Sequence, residues 1–251
     1  MVSPEHSATP RLIALDDPSL FEIDFAPLLG IVKWEREIPA QLRGQAKGNF
    51  PSFIPKTDQE RCQNLVKEIE KAREADECFE VTIKLDGTSF TAYHNNGATG
   101  FCSRNLELKP EDEGSVYAQV FRKYNLADAL AATDMNVAIQ GEILSPGIQG
   151  NREGLTEPTL YVFDVFDIDA RQYMNPGERM NFFSMFLQHL GVQHVPLLCF
   201  IDSLPAVTDI LRMADGKSIN NPVREGLVFK SCERDFSFKA ISDTFLLKGG
   251  D

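Results

Sequence analysis

The sequence predicts an α+β fold with mainly antiparallel sheets flanked by helices. Three features carry that reading. Runs rich in β-branched and aromatic residues recur along the chain, and several are joined by connections too short for a parallel crossover. Helical periodicity is confined to a few separate stretches. Strands and helices also follow one another without the strict alternation of a βαβ sheet.

Residues 1–31 carry proline and little periodicity, and read as an N-terminal arm. Over 38–55, Pro39, Pro51 and Pro55 with Gly44 and Gly48 exclude a long helix and suggest an irregular loop. Thr57 and Glu60 have the spacing of a capping box. A helix begun there places Cys62, Leu65, Val66, Ile69 and Ala72 on one face. Strands follow at 79–85, 88–94 and 98–103, joined by the turn signals Asp86-Gly87 and Asn95-Asn96-Gly97. A helix is expected over 115–132, and strands over 136–144 and 160–168. A second helix fits 178–190, between Pro176 and Gly191. A strand at 196–202, a short helix at 204–213 and strands at 225–231 and 237–242 complete the set.

At 251 residues and 43% hydrophobic content, the chain can bury a core without disulfides or a structural metal. No apolar run approaches the ~18 residues of a membrane span, and the N-terminus lacks the basic-then-apolar order of a signal peptide. Cys62, Cys78, Cys102, Cys199 and Cys232 form a scattered, odd-numbered set without a CxxC pair, and read as reduced thiols of a cytoplasmic protein. The net charge of −12 argues against a surface that coats nucleic acid, but leaves room for a local basic groove.

Four segments carry candidate chemistry. In Lys84-Leu85-Asp86-Gly87, strand alternation points Lys84 and Asp86 the same way, and Gly87 allows a close turn. A lysine attacks an electrophile only when neutral, a state favoured by burial and neighbouring cations. Glu142, in Gly141-Glu142-Ile143, is an acid inside an apolar strand. The run from Tyr161 to Ile168 is aromatic-rich, with Asp164 and Asp167 on opposite faces, and suits the wall of a pocket for a planar base. Glu225 and Lys230 bracket Gly226-Leu227-Val228-Phe229, on opposite faces unless Gly226 bends the strand; Lys239 lies beside this strand if the last two strands pair. Each segment alone has an ordinary alternative: a hairpin with a solvated lysine, an edge-strand glutamate, plain core, and an amphipathic hairpin.

Their order is more specific. Lys84-Leu85-Asp86-Gly87, Ser103-Arg104-Asn105, Gly141-Glu142, the Phe-Asp-rich strand, Glu225-Gly226-Leu227-Val228-Phe229-Lys230 and Lys239 resemble the motif series of the covalent nucleotidyltransferases, the family of ATP-dependent RNA and DNA ligases and mRNA capping enzymes. The resemblance covers 32–251, and the segments 33–64 and 236–248 look most like RNA ligases, of the branch that carries an OB domain before the ligase domain. It implies an ATP-grasp-like ligase fold and an enzyme that uses ATP and magnesium or manganese. That enzyme passes AMP from a lysine to an RNA 5′-phosphate and joins it to a 3′-OH, sealing nicked RNA or RNA-containing duplexes. In that reading Lys84 takes the AMP and Asp86 positions it. Arg104 contacts the nucleotide or the RNA 5′-phosphate. Glu142 lies near the ribose and, like Glu225, holds metal through water, Ile83 borders the nucleotide, Phe166 (or else Phe163) stacks on adenine, Val228 covers its other face, and Lys230 and Lys239 hold the α-phosphate. Two departures stand out: the second lysine of a KxK motif is replaced by Ile241, and the twelve residues after Lys239 leave no room for a downstream OB domain. The alternatives are a DNA ligase, a capping guanylyltransferase, and a catalytically silent nucleotide-binding module.

Overall fold

The alternating segments assemble into two sheets in a computed structural model, which describes residues 29–30 and 44–249. The boundary at Val32, and the arm apart from Leu29 and Gly30, lie outside the described residues.

In chain order the strands are β1 (Ala46–Asn49), β2 (Phe79–Lys84), β3 (Thr88–Asn95), β4 (Ala98–Cys102), β5 (Leu106–Leu108), β6 (Val137–Leu144), β7 (Thr159–Asp167), β8 (Gln172–Tyr173), β9 (Gln193–His194), β10 (Leu197–Ile201), β11 (Gly226–Ser231) and β12 (Ser237–Ile241). The large sheet runs β1-β5-β4-β3-β6-β7-β8, and β9 adds to β7 in parallel. The small sheet runs β10-β2-β11-β12, every pair antiparallel.

One face of the large sheet packs Phe90, Phe101, Ile139, Leu160 and Val162 against the helices Val116–Lys123, Leu126–Ala131 and the segment 182–187. The small sheet packs Phe79, Val81, Leu227, Phe229 and Phe238 against Ile69 and Ala72 of the helix Val66–Glu74 and Ile210 of the helix Val207–Ala214. Its other face carries Glu80, Thr82, Lys84, Val228, Lys230 and Lys239, as the strand period requires.

Several expectations change. Asp86-Gly87 is no hairpin turn: β2 and β3 belong to different sheets, and the dipeptide is the crossing between them. A two-residue I′ turn needs positive φ at both positions; Asn96 and Gly97 have it, at 49° and 78°, whereas Asp86 and Gly87 do not. The capping box at Thr57 does not form. Thr57 Oγ1 bonds to Ser89 Oγ, and the α-helix begins only at Val66, after a 3-10 turn over Cys62–Asn64. Val66 is accordingly exposed while Cys62, Ile69 and Ala72 are buried. The segment 38–55 contains β1, which pairs with β5, a strand with no alternation long enough to betray it. The helix over 115–132 breaks at Asn125, whose φ of 46° ends one helical run and starts another. The helix over 178–190 starts at Pro176 on a capping box from Asn175 to Glu178, then loosens into a π turn and a 3-10 turn before Gly191. A final helix, Asp243–Leu247, is capped by Ser242. No helix among the described residues is long and apolar enough to cross a membrane.

Candidate active site between the two sheets

A cavity of about 360 Å³ opens between the polar face of the small sheet and the large sheet. Nine of the ten residues singled out from the sequence line it: Ile83, Lys84, Asp86, Arg104, Glu142, Glu225, Val228, Lys230 and Lys239. Phe166 does not. It is buried with Ile54, Tyr93 and Ile168 and meets Tyr173 edge-on, ring centroids 5.1 Å apart. The aromatic on the cavity wall is Phe163. The reason is a bulge: Gln140 pairs with Asp164 but Gly141 pairs with Val162, so Phe163 is the extra residue of β7.

Lys84 ends β2 with its ammonium between the two oxygens of Glu225, at 2.7 and 2.8 Å. Glu225 lies one residue before β11, outside the ladder, so strand alternation does not govern it. It therefore shares the cavity with Val228 and Lys230, contrary to the opposite-face expectation. Gly226, next to it, admits the close approach of β12: a Cβ there would sit 2.1 Å from the Ala240 carbonyl oxygen. Gly87 meets a similar constraint, its missing Cβ lying 2.4 Å from the Ile143 carbonyl oxygen. That close approach lets the Gly87 N–H donate to Glu142 Oε1 at 3.1 Å. Asp86 pairs with Arg152 Nε at 3.0 Å, and Arg152 in turn lies over the Phe245 ring.

The electrostatics follow from burial. Burial pushes the Glu142 carboxyl up to about 7, against the opposing pull of Lys84. Burial also raises Glu225 and Asp86, with Lys84 pulling Glu225 back and Arg152 and Lys84 pulling Asp86 back. Lys239 is lowered by burial first, then by the nearby charges of Lys84 and Arg61. Lys239 sits opposite Val228, and its N–H donates to the Glu60 carbonyl, tying the 57–61 segment to β12. At the far end, Lys230 donates to Asp164 Oδ1 at 2.5 Å and to the Phe163 carbonyl at 2.6 Å, its ammonium 5.4 Å from the Phe163 ring. Arg104 is exposed at the rim and pairs with Asp58 at 2.5 Å.

No group of three or more His, Cys, Asp and Glu among the described residues is arranged to hold a metal directly. Glu142 and Glu225 fit a different arrangement, a magnesium or manganese ion held through water by one or two carboxylates. Both face the cavity, and burial disfavours their anionic forms until a cation compensates.

Sequence reasoning missed Arg152, Asp58, Gln59 and Gln149, which sit in irregular segments with no periodicity to mark them, and read Thr57 only as a helix cap. It noted Asp164 without its partner; an acid within an aromatic strand was the available signal.

A family model described as RNA ligase matches residues 77–241. Among solved structures, a variant of Naegleria gruberi RNA ligase with ATP and Mn is 42% identical, over 90% of this chain and 67% of that one, with a TM-score of 0.78. The same ligase with pyrophosphate matches at 42% identity over 92% and 70%, TM-score 0.78. A variant with AMP and Mn matches at 42% over 93% and 70%, TM-score 0.79. Curated protein sequences give no match. With most of both sheets inside the matched span and more than two fifths of the aligned residues shared, the chain belongs to the RNA ligase family.

Proposed function

We propose that this chain is an ATP-dependent RNA ligase that charges Lys84 with AMP, passes the AMP to an RNA 5′-phosphate and seals it to a 3′-OH. The observation that carries the proposal is the bidentate contact of Lys84 with Glu225 at the floor of the cavity, with Lys239 and Glu142 around it.

In the first step the Lys84 amine bonds to the α-phosphorus as the bond to the β-phosphate oxygen breaks, and pyrophosphate leaves. The ammonium must first lose a proton. Glu225, with both oxygens against it and its acidity weakened by burial, is the acceptor in reach. Lys239 faces the charge that builds on the phosphates. Asp86, braced by Arg152, holds the crossing on which Lys84 sits. Glu142 and Glu225 would hold a magnesium or manganese ion through water, and that ion would supply charge neutralisation for the leaving group.

Strand register and side-chain contacts support a reading of where the base lies. Lys84 faces Gly226, and Lys230 lies four residues further along β11, about 13 Å away at ~3.3 Å per residue. Lys230 is anchored by the Phe163 carbonyl and Asp164 with its ammonium beside the Phe163 ring, which supports placing it at the base rather than at the α-phosphate. Phe163 and Val228 flank the same end and suit the two faces of a purine. Arg104, at the exposed rim, suits the 5′-phosphate of RNA. We propose a nicked, RNA-containing duplex as substrate.

The test is incubation with α-labelled ATP and magnesium or manganese. Acid-labile, alkali-stable label on Lys84, absent with GTP, is the expected result. Label elsewhere, or none, overturns the reading. Sealing of nicked duplexes, compared with single strands, then tests the substrate form.

A further inference from the structure

Behind the base end of the cavity lies a buried set of charges that the proposed chemistry does not use. Arg179, on the helix Pro176–Phe182, is 1% exposed, as is its partner Glu80 on β2. Arg179 Nε donates to His194 Nε2 at 3.2 Å. His194 Nδ1 lies 2.7 Å from the Val195 carbonyl, which can only accept, so Nδ1 carries the proton and Nε2 the lone pair. Arg179 Nη1 stands 3.9 Å from Asp164 Oδ1, the same oxygen that holds Lys230 at 2.5 Å.

Burying ion pairs seldom stabilises a fold more than apolar residues of the same volume would. The arrangement makes sense as a way of assigning partners. Glu80 and Lys230 are cross-strand neighbours on one face, the simplest ion pair available. Instead Glu80 engages Arg179, and Lys230 turns across to Asp164 on the large sheet, beside Phe163. Asp164 thus has two cations near one oxygen, Lys230 in contact and Arg179 at 3.9 Å, and Glu80 engages the second of them.

We infer that Glu80 and Arg179 are positioning residues: by holding Arg179, Glu80 keeps Asp164 for Lys230 and so fixes the Lys230 ammonium at the edge of the bound base. A cationic donor fixed there selects a purine that presents a ring-nitrogen acceptor at that edge, as N1 of adenine does, over one that presents N1–H, as guanine does. The inference rests on the reading of Lys230 as the base-end residue.

The probe pair is ATP and 1-deaza-ATP, which lacks the N1 acceptor, read by self-labelling kinetics with thermal melts alongside. The native chain is expected to show a KM about tenfold higher for the analogue, the worth of one charge-assisted hydrogen bond. Glu80→Gln keeps the shape and releases Arg179 to compete for Asp164. It should raise the KM for ATP about tenfold with kcat unchanged, and flatten the preference. Adding Arg179→Met removes the competing cation and should restore both, a rescue that a purely structural role would not give. If the Gln/Met pair does not fold, Glu80→Met with Arg179→Met removes the same charges in apolar form and carries the same expectation. A native KM and preference in Glu80→Gln, or no rescue in the double variant, overturns the inference. Persistence of the preference in Lys230→Met instead overturns the base-end reading beneath it.

Discussion

Lys84 is the residue on which the proposal is most exposed to test. Lys84→Ala should abolish AMP labelling while the melting temperature stays near native, since the side chain is partly open to the cavity. Lys84→Arg should fail equally, because a guanidinium stays protonated and cannot attack. Glu142 offers a test by pH. Its folded pKa, about 7, lies above its ordinary value of 4.5. The folded protein therefore holds a proton that the unfolded chain releases, and stability falls as pH rises between those values. Glu142→Gln removes the effect. It should raise the melting temperature of the nucleotide- and metal-free protein at pH 8, by a stabilisation on the order of 3 kcal/mol, and leave it nearly unchanged at pH 4. The two phenylalanines separate cleanly. Phe163→Ala should weaken ATP binding by the ~1–3 kcal/mol of a stacked base. Phe166→Ala should leave binding near native and cost stability, up to ~3–5 kcal/mol for a buried ring. Native ATP affinity in Phe163→Ala would remove that ring from the base site.

At the scale of elements, the glycines of the motifs make a sharper prediction than their conformations suggest. Gly87→Ala drives a methyl group to 2.4 Å from a backbone oxygen, where neither side yields easily. It should cost ~1–3 kcal/mol and abolish labelling, because the shift displaces Lys84 and the N–H held by Glu142. Gly97→Ala has open space but a φ of 78°, so it should cost ~1 kcal/mol and leave labelling intact. Equal labelling by the two variants would show that close approach at Gly87 is not what organises the site. The contrast also explains what the sequence made legible. Strands of five residues or more with clear alternation, such as β3, β6, β7 and β11, were readable, as was the Asn96-Gly97 turn. Asp86-Gly87 carries the same local signal, and only the long-range pairing of β2 with β10 and β11 makes it a crossing. Phe163 was not ranked above Phe166 because the bulge that turns it inward is a property of two paired strands, invisible in one. Asn125 broke an apparent helix by one left-handed residue, and β1 and β5 were too short to register. The residues of the site were found through motif order; the buried Arg179–Glu80 pair, contributed by a helix and a strand 99 positions apart, had no local mark.

For the whole molecule, the charge of −12 sets how RNA can be held. Under the proposed function, phosphate contacts are expected from cations at the cavity, with Arg104 at its rim, against a repulsive background. Affinity for RNA should fall steeply between 50 and 200 mM salt, roughly in proportion to the few phosphates neutralised, whereas self-labelling with ATP should barely change. Salt-independent RNA binding would contradict this. The small sheet has a further consequence, for synthesis of the chain. Its strands come from 79–84, 197–201, 226–231 and 237–241, whereas β3, β4 and β6 pair among near neighbours. Closing such distant contacts is slow and depends on the whole intervening chain. On the ribosome, β2 emerges more than 100 residues before its first partner, β10. The lysine is therefore made early and has no counter-carboxylate until Glu225 has left the exit tunnel. Nascent chains stalled before β11 should take no label from ATP, and those released beyond β12 should label at once.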